Sequence, residues 1–224
     1  MRRTDLMPDF TGSFLDRGRY RLLKGIGCGA YGKVYHAVDL SHRSKNQVLA
    51  IKCLDKPSRD TRHYFIQQRE LENHKLVSGH PNIITFHRFF SDGLFVYVVL
   101  DLCVGGDLFS AITEKHLFQG NECLTKSAFV QVIDAIAYCH RRGVFHRDIK
   151  PENILCSDDG SVIRLTDFGL SITSPYSIDF GCGTPQYMSP GKSPSSVYGD
   201  FTYQNNYRMY WPTGSLSRIR NESQ

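Results

Sequence analysis

The chain has 224 residues, of which 41% are hydrophobic and 22% are charged, and its formal net charge is +5. This is ordinary globular composition, with enough apolar material for one or two cores. The basic residues are scattered rather than arranged in a stripe with interleaved aromatic residues, so we expect no nucleic-acid partner.

The seven cysteines are odd in number, irregular in spacing and form no C-x-x-C pair. This pattern indicates neither a disulfide framework nor a zinc site, so we expect reduced thiols and a cytoplasmic or nuclear location. The N-terminus lacks the apolar core of a signal peptide. The longest apolar run, Leu94 to Leu100, is too short to span a bilayer and is typical of a buried strand, so no membrane partner is expected. Nothing in the sequence indicates the oligomeric state.

Residues 1–19 are polar and contain glycine and proline, and we expect a flexible N-terminal arm. From Tyr20 onward the residues are mostly typical of strands, with one helix. The helix is predicted over Arg62 to Val77, which has no glycine or proline inside. The strands are predicted over Tyr20 to Ile26, Lys33 to Asp39, Val48 to Leu54, Ile83 to Phe90 and Leu94 to Leu102.

The next segment is helical, with a short helix predicted over Asp107 to His116 and a long helix over Thr125 to Arg142. Apolar residues at helical spacing mark the buried face of the long helix, namely Phe129, Val132, Ile133, Ile136 and Ala137. Asn153 to Leu155 and Val162 to Leu165 then form a predicted hairpin.

Three glycines in the pattern G-x-G-x-x-G, Gly27, Gly29 and Gly32, lie between two predicted strands. Glycine lets the backbone amides of a strand-turn-strand unit approach phosphate oxygens without interference from side chains. Strand-type residues follow the third glycine, which argues against a dinucleotide-binding unit, where a helix would follow. A plain glycine-rich hairpin explains this pattern equally well when it is considered alone.

Lys52 lies in the strand sequence A-I-K, where apolar neighbours would hold its ammonium group near a cleft and allow it to pair with phosphate. Glu70, in the middle of the predicted helix, could hold Lys52 in place. Glu72 is the competing candidate, and a solvated helix face explains either glutamate equally well.

The stretch from His146 to Asn153 reads H-R-D-I-K-P-E-N and places Asp148, Lys150 and Asn153 within six residues. These side chains are a possible proton acceptor, a cation and a metal-ligating amide. Phosphoryl transfer needs little else from a protein. The alternative interpretation is a polar surface loop that follows a helix.

Asp167-Phe168-Gly169 follows the predicted strand Val162 to Leu165. A carboxylate at the end of a strand can hold magnesium, a hard cation that prefers oxygen ligands. An ordinary turn would be the better explanation if this tripeptide stood alone.

The glycine loop, A-I-K, H-R-D-I-K-P-E-N and D-F-G occur in one chain and in this order, which matches the signature set of the protein kinases. The chain therefore resembles the eukaryotic protein kinases of the serine/threonine group over roughly Tyr20 to Pro190. The resemblance implies an α+β fold of two lobes, a small antiparallel sheet with one helix above a mainly helical lobe. It also implies ATP and Mg2+ as cofactors, bound in the cleft, and a protein Ser/Thr hydroxyl as the phosphate acceptor.

The resemblance implies a role for individual residues. Asp148 would accept or orient the substrate proton, Lys150 would contact the γ-phosphate, and Asn153 and Asp167 would hold magnesium. Lys52 would contact the α- and β-phosphates. Glu70 is preferred over Glu72 as the partner of Lys52 because of the distance of Glu70 from His80-Pro81-Asn82 along the sequence. The other nucleotide-binding positions would be Gly27, Gly29 and Gly32 over the phosphates, Ile26, Val34 and Ala50 against the adenine, the hinge Asp101 to Cys103 after the gatekeeper Leu100, and Asp107 near the ribose.

The serine/threonine assignment rests on Lys150, two residues after Asp148, and on G-T-P-x-Y from Gly183 to Tyr187. Arg147 precedes Asp148, an arrangement in which arginine can bind a phosphate on the activation loop. The loop hydroxyls available for such a phosphate are Ser171, Thr173, Ser174, Tyr176 and Ser177. The phrases V-S-G-H-P-N-I-I-T and G-C-G-T-P-Q-Y-M-S-P resemble fungal kinases that inhibit meiosis.

The chain departs from the kinase pattern at Gly191, where the family has a glutamate that anchors the activation segment. The central buried helix of the family has no counterpart after Pro190, and residues 192–224 are expected to be irregular and mostly disordered. We therefore expect a small lobe with its hinge over 20–102 and a truncated large lobe over 103–191. The alternative function is an inactive kinase fragment that binds nucleotide or a partner through an uncovered apolar surface.

Overall fold

A six-stranded antiparallel sheet forms most of the first hundred residues. The computed structural model describes residues 7–29, 32–41, 47–174, 176–177, 182–188 and 203–204 of the chain. The strands are β1 (Phe14–Leu15), β2 (Tyr20–Cys28), β3 (Gly32–Asp39), β4 (Val48–Asp55), β5 (Phe86–Ser91) and β6 (Phe95–Asp101). They lie in the order β1-β2-β3-β4-β6-β5, and helix α1 (Arg62–Val77) connects β4 to β5.

The strands and the helix predicted for this part of the chain are present, and the largest difference is at β5. This strand begins at Phe86 and not at Ile83. Ile83 and Ile84 are buried, and the backbone amide of Ile84 donates to the carbonyl oxygen of Leu165 at 3.0 Å. The sequence pattern could not distinguish this interlobe contact from a continuation of the strand, because both require buried apolar residues.

The side chains of the sheet alternate between two hydrophobic clusters, as the two-residue period of a strand requires. The first cluster contains Tyr20, Leu22, Tyr35, Ala37, Leu49, Ile51, Cys53, Tyr97 and Val99. The second contains Leu71 of α1 together with Ala50, Leu54, Ile84, Phe86, Val96, Val98 and Leu100. Lys52 alternates with Ile51 and Cys53, so its side chain lies on the same face of the sheet as α1.

The flexible arm predicted for residues 1–19 is not what residues 7–19 form. Met7 is buried against the first cluster, and its carbonyl oxygen accepts a hydrogen bond from Lys33 Nζ at 2.7 Å. The ring of Phe10 lies edge-on to three rings of the sheet, those of Tyr35, Phe95 and Tyr97. A few apolar residues in an otherwise polar segment therefore cover one face of the sheet, and residues 1–6 lie outside the described part of the chain.

The second lobe begins after β6 with two helices and a small hairpin. Helix α2 (Leu108–Thr113) begins after Asp107, whose carboxylate accepts from the amide of Ser110. Helix α3 (Glu122–Arg141) is capped in the same way by Asn121 and begins earlier than predicted. The hairpin consists of β7 (Ile154–Cys156) and β8 (Ile163–Leu165). The stretch from His146 to Asn153, called the catalytic-type stretch below, lies between α3 and β7.

The buried face of α3 differs from the predicted one. Its buried residues are Ala128, Val132, Ala135, Ile136 and Cys139. Val132 and Ile136 are buried, as predicted. The other three residues predicted to be buried are not: Ile133 and Ala137 are partly buried, and Phe129 is 44% exposed. The helix carries two adjacent apolar stripes, and its packing against β8 selects one of them.

Two short strands, β9 (Tyr176–Ser177) and β10 (Tyr203–Gln204), pair antiparallel. The predicted disordered tail therefore contributes one strand to the described structure, and its other residues and Gly191 lie outside the described ranges. None of the described helices is long and apolar enough to cross a membrane.

We predict that Phe10→Ala lowers the free energy of unfolding by about 1–3 kcal/mol, because it removes a partly buried ring and its aromatic contacts. Phe14→Ala is the matched control, since Phe14 is 59% exposed, and it should change stability by less than about 0.5 kcal/mol. Urea unfolding of the two variants and the unmodified chain measures the difference. A loss of less than about 0.5 kcal/mol for Phe10→Ala would show that the Phe10 ring does not contribute to the core.

Candidate active site

Lys52 of β4 reaches from the sheet towards two carboxylates. Its Nζ lies 2.6 Å from Glu70 Oε1 in the middle of α1 and 3.5 Å from Asp167 Oδ1, which follows β8. Burial lowers the pKa of Lys52, but the charges of Glu70 and Asp167 outweigh this effect, so its pKa is raised above the ordinary value. The charge of Lys52 in turn lowers the pKa of Asp167. Glu72, the competing candidate, is exposed.

Phe168 is fully buried, and it lies in a column of four rings. Its ring centroid is 4.8 Å from that of His74 in α1 and 4.9 Å from that of His146, just before Asp148. His74 in turn contacts Phe86 of β5 at 5.4 Å. The column connects the small sheet, α1 and the catalytic-type stretch, so the inward position of Phe168 fixes Asp167 beside Lys52.

The two histidines of the column are held neutral. Burial lowers the pKa of His74 to about 4, and its Nε2 lies 2.8 Å from the carbonyl oxygen of Ile84. Burial also lowers the pKa of His146. His146 Nε2 lies 2.9 Å from the carbonyl oxygen of Thr166, and Nδ1 accepts from the Asp148 amide at 3.3 Å. These partners assign the proton of His146 to Nε2 and leave Nδ1 as an acceptor.

The carboxylate of Asp148 is held by three side chains. Thr184 Oγ1 donates to Oδ1 at 2.7 Å, and Lys150 Nζ lies 2.9 Å from Oδ2. Asn153 Nδ2 donates to Oδ2 at 3.0 Å and to the Asp148 carbonyl oxygen at 2.9 Å. Lys150 Nζ also donates to Thr184 Oγ1 at 2.8 Å. In the sequence Thr184 is only part of the G-T-P-x-Y motif, which does not indicate its contact with both charged groups.

Asn153 and Asp167 provide oxygen atoms suited to a hard cation. Asn153 uses its Nδ2 to bond Asp148, and no hydrogen bond to its amide oxygen is present among the described residues. The Asp167 carboxylate is about half exposed (51%). Mg2+ commonly takes one or two such protein ligands and completes its shell with water and phosphate oxygens. No group of three or more His, Cys, Asp or Glu residues that could hold a metal occurs in the part of the chain that the structure covers.

The glycine loop connects β2 to β3. Gly27 pairs with Val34 across these strands. At Gly32 an added Cβ would lie 2.2 Å from the carbonyl oxygen of Cys53, so this position excludes every side chain. Gly29 shows no comparable restriction, because its nearest contact would be 3.9 Å away. The two residues between Gly29 and Gly32 lie outside the described ranges.

The predicted adenine-binding residues lie around the second cluster of the sheet. Ala50 belongs to this cluster, whereas Ile26 does not and is 44% exposed. The partly buried residues packed against this cluster are Val34, Leu102, Cys103 and Leu155. The contact of Leu155, on β7 of the second lobe, with this cluster was not predicted. Its signal was present, because Leu155 alternates with the fully buried Ile154 and Cys156 and must face the opposite side of the hairpin.

The predicted hinge residues have defined side-chain partners. The Asp101 carboxylate accepts hydrogen bonds from Thr85 of the small lobe and from Arg164 of the second lobe. Cys103 Sγ donates to the Cys156 carbonyl oxygen at 3.0 Å, and burial raises the pKa of Cys103. Asp107 Oδ1 accepts from the amide of Ser110 at 2.8 Å as the cap of α2. A contact of Asp107 with the ribose therefore stays a prediction.

The activation-loop hydroxyls differ in access. Ser171 is fully buried, accepts from Asn73 Nδ2 at 2.9 Å and donates to the Phe168 carbonyl oxygen at 2.6 Å. It is therefore a structural residue and a poor phosphate acceptor. Thr173 and Ser174 are exposed, and the side chains of Tyr176 and Ser177 are outside the described set.

Comparison with known proteins gives one family and several relatives. The protein kinase domain family matches residues 20–200. The "Negative regulator of sexual conjugation and meiosis" of Schizosaccharomyces pombe is 48% identical over 170 residues, 76% of this chain and 36% of that protein. "Serine/threonine-protein kinase ksp1" of the same yeast is 36% identical over 184 residues, which are 79% of this chain and 38% of that protein. "CBL-interacting protein kinase 9" of Oryza sativa subsp. japonica is 37% identical over 206 residues, which are 89% of this chain and 42% of that protein. The chain thus spans less than half of each relative.

We predict that His74→Leu reduces the loss of stability in acid. The folded chain holds His74 neutral down to about pH 4, whereas an unfolded histidine takes up a proton below about 6.5. The stability that this difference provides is complete above about pH 6.5 and is lost as the pH falls towards about 4. Removing the histidine should abolish roughly 3 kcal/mol of this loss.

Urea unfolding at about pH 7 and about pH 4.5 gives the free energy of unfolding at each pH, and the difference between the two values is the loss of stability in acid. His63→Leu is the control, because His63 is exposed on the same helix. If the His74 variant lost as much stability between these two pH values as the unmodified chain, His74 would not be held neutral by its burial.

Proposed function

Because this chain belongs to the protein kinase family, we propose that it binds ATP with Mg2+ and transfers the γ-phosphoryl group to a protein serine or threonine hydroxyl. The observation that carries the proposal is the set of three side chains that orients the Asp148 carboxylate, together with the cluster of Lys52, Glu70 and Asp167. The activity of the whole protein is part of the proposal, since the chain covers 36–42% of the three relatives named above.

The reaction follows from the atoms that these residues present. The substrate oxygen would attack the γ-phosphorus while the bond to the leaving ADP oxygen breaks. Asp148 would receive the proton of the substrate hydroxyl. Lys150, 2.9 Å from Asp148, would place its charge on the transferred phosphate. Lys52 would hold the α- and β-phosphates. Mg2+, bound through Asn153 and Asp167, would neutralise the charge that develops on the phosphates.

A serine or threonine acceptor fits the contacts of Thr184. This side chain touches both Asp148 and Lys150, so it lies beside the position where a substrate hydroxyl would approach. The space next to the carboxylate is therefore bounded on one side by Thr184 itself. A short side chain brings its hydroxyl to Asp148 together with the substrate backbone, whereas the tyrosine ring would hold the backbone farther away. A cytoplasmic or nuclear location accompanies this proposal, since the described cysteines are free thiols.

A fragment that binds nucleotide or a partner without transferring phosphate is the second candidate. Gly191, in place of the glutamate that anchors the activation segment in the family, favours it. The two candidates share the nucleotide cleft and differ only in the chemical step, so the same experiment can separate them.

The test is transfer of labelled phosphate from ATP to serine, threonine and tyrosine peptides in the presence of Mg2+. We predict transfer to serine and threonine, and a decrease of at least about a hundredfold in Asp148→Asn, because the amide cannot accept the proton. Nucleotide binding should persist in this variant. Nucleotide binding without transfer by the unmodified chain would support the second candidate, and full activity of Asp148→Asn would contradict the mechanism.

We further predict that Thr184→Val lowers kcat by about ten- to a hundredfold, because it removes a hydrogen bond to the Asp148 carboxylate and an acceptor for Lys150. Thr184→Ser retains the hydroxyl and should stay within about threefold of the unmodified chain. Steady-state kinetics with the serine peptide compares the two. Equal losses in both variants would mean that the methyl group, and not the hydroxyl, supports the site.

A further inference from the structure

The carboxylate of Asp101, at the end of β6, joins the two lobes behind the cleft. Its Oδ1 lies 2.7 Å from His87 Nε2, and its Oδ2 accepts from Thr85 Oγ1 at 2.6 Å. Both of these partners belong to the small lobe. The third partner is Arg164 of β8, whose Nη1 lies 3.0 Å from Asp101 Oδ2 and comes from the second lobe.

The strand registers place this ion pair near Ala50 and Leu155, which would form the upper and lower walls of an adenine site. Asp101 pairs with Leu49, and the next pair along β4 and β6 is Ala50 with Leu100, so Asp101 is one residue from the level of Ala50, with its side chain on the opposite face of the sheet. Arg164 pairs directly with Leu155 across β7 and β8. Directly paired residues share one face of a hairpin, so Arg164 lies beside Leu155, which would form the lower wall.

We propose that Asp101 and Arg164 are positioning residues that set the separation of these two walls and thereby the affinity for the adenine of the nucleotide. This inference rests on the proposed function, since it requires a nucleotide between Ala50 and Leu155. Asp101 is suited to the role because Thr85 and His87 already fix its carboxylate within the small lobe. Arg164 therefore meets a carboxylate in a defined place.

Neighbouring backbone bonds leave this role to the side chains. The Leu165 amide donates to the Asn82 carbonyl oxygen, and the Ile84 amide donates to Leu165, so β8 is attached to the segment before β5. These bonds hold the back of the lobes together. Among the described residues, the hinge contacts the small lobe through the Asp101 amide, which donates to the Thr85 carbonyl oxygen at 3.1 Å, and β7 through Cys103 Sγ, which donates to the Cys156 carbonyl oxygen at 3.0 Å. The ion pair transmits the position of β8 to the hinge.

The test is Arg164→Met, compared with Arg164→Lys, in the intact chain. We expect the methionine variant to raise the KM for ATP and the Kd for MgADP by about three- to tenfold, with kcat changed by less than about twofold. Arg164→Lys keeps the cation and should restore most of the affinity. A merely structural loss would reduce the folded fraction, which lowers the apparent kcat and leaves the KM unchanged.

The matched control is the ion pair of Asp16 and Arg88, which joins two groups of the same lobe at 2.9 Å with similar exposure. Asp16→Asn and Arg88→Met should leave both constants unchanged. In a double-mutant cycle, the effects of Asp101→Asn and Arg164→Met on the Kd for MgADP should be less than additive, because both variants break the contact of Asp101 with Arg164.

Hydrogen exchange without nucleotide gives a second readout. Arg164→Met should speed the exchange of the Asp101 amide, whereas Arg88→Met should not. Unchanged exchange and unchanged nucleotide affinity would overturn the inference, and so would tighter nucleotide binding, which would mean that the pair holds the lobes apart. Failure of the unmodified chain to bind MgADP would instead contradict the proposed function, and the exchange result would still decide whether the pair fixes the hinge.

Discussion

The mostly buried ammonium group of Lys52 is the constraint on which the rest of the structure depends. A buried cation without partners would cost several kcal/mol, so the fold must bring carboxylates to it. Glu70 comes from α1 and Asp167 from the second lobe. Because the two carboxylates belong to different parts of the chain, satisfying one charge fixes both the position of α1 on the sheet and the position of the second lobe beneath it. The pKa of Lys52 is raised despite burial, which indicates that the two carboxylates more than offset its desolvation.

A ring contact on the same face of α1 completes the same arrangement. Glu70 and His74 are four residues apart, so they lie on one face of the helix and both point towards the second lobe. Glu70 meets Lys52, and His74 meets the ring of Phe168, the residue next to Asp167. Rotation of α1 that broke the ion pair would also separate His74 from Phe168. The polar and the apolar contacts therefore stabilise one position of the helix, and the buried bond of Asn73 to Ser171 adds a third point on that face.

The sequence was sufficient for those parts of the structure that local pattern determines. The strands and α1 follow from residue type and turns, and the two-lobed α+β fold and the serine/threonine kinase resemblance, including the fungal meiosis-inhibiting group, are confirmed by the family match and the relatives. Tertiary contacts account for what was missed. Phe10 is one apolar residue in a polar segment, and only the aromatic face of the sheet shows why it is ordered. In α3, periodicity found apolar residues but not which of two adjacent stripes faces β8. The bridge of Thr184 between Asp148 and Lys150 spans more than thirty residues, so no local spacing predicts it.

The backbone around both Asp148 and Asp167 is strained, so other contacts must hold these two residues in place. Arg147 and Asp167 have positive φ values of 68° and 62°, which cost about 1–3 kcal/mol each for residues other than glycine. The opposing contacts lie between the segments 145–148 and 166–172. Phe145 and Ile172 exchange two backbone hydrogen bonds of 2.8 and 3.0 Å, and Arg147 Nε donates to the Leu170 carbonyl oxygen at 2.7 Å. Since each net hydrogen bond contributes about 1 kcal/mol, these bonds are of the size needed to offset the strain. The segment that carries the proposed base and the segment that carries the proposed metal ligand therefore form one unit, and neither can relax without releasing the other.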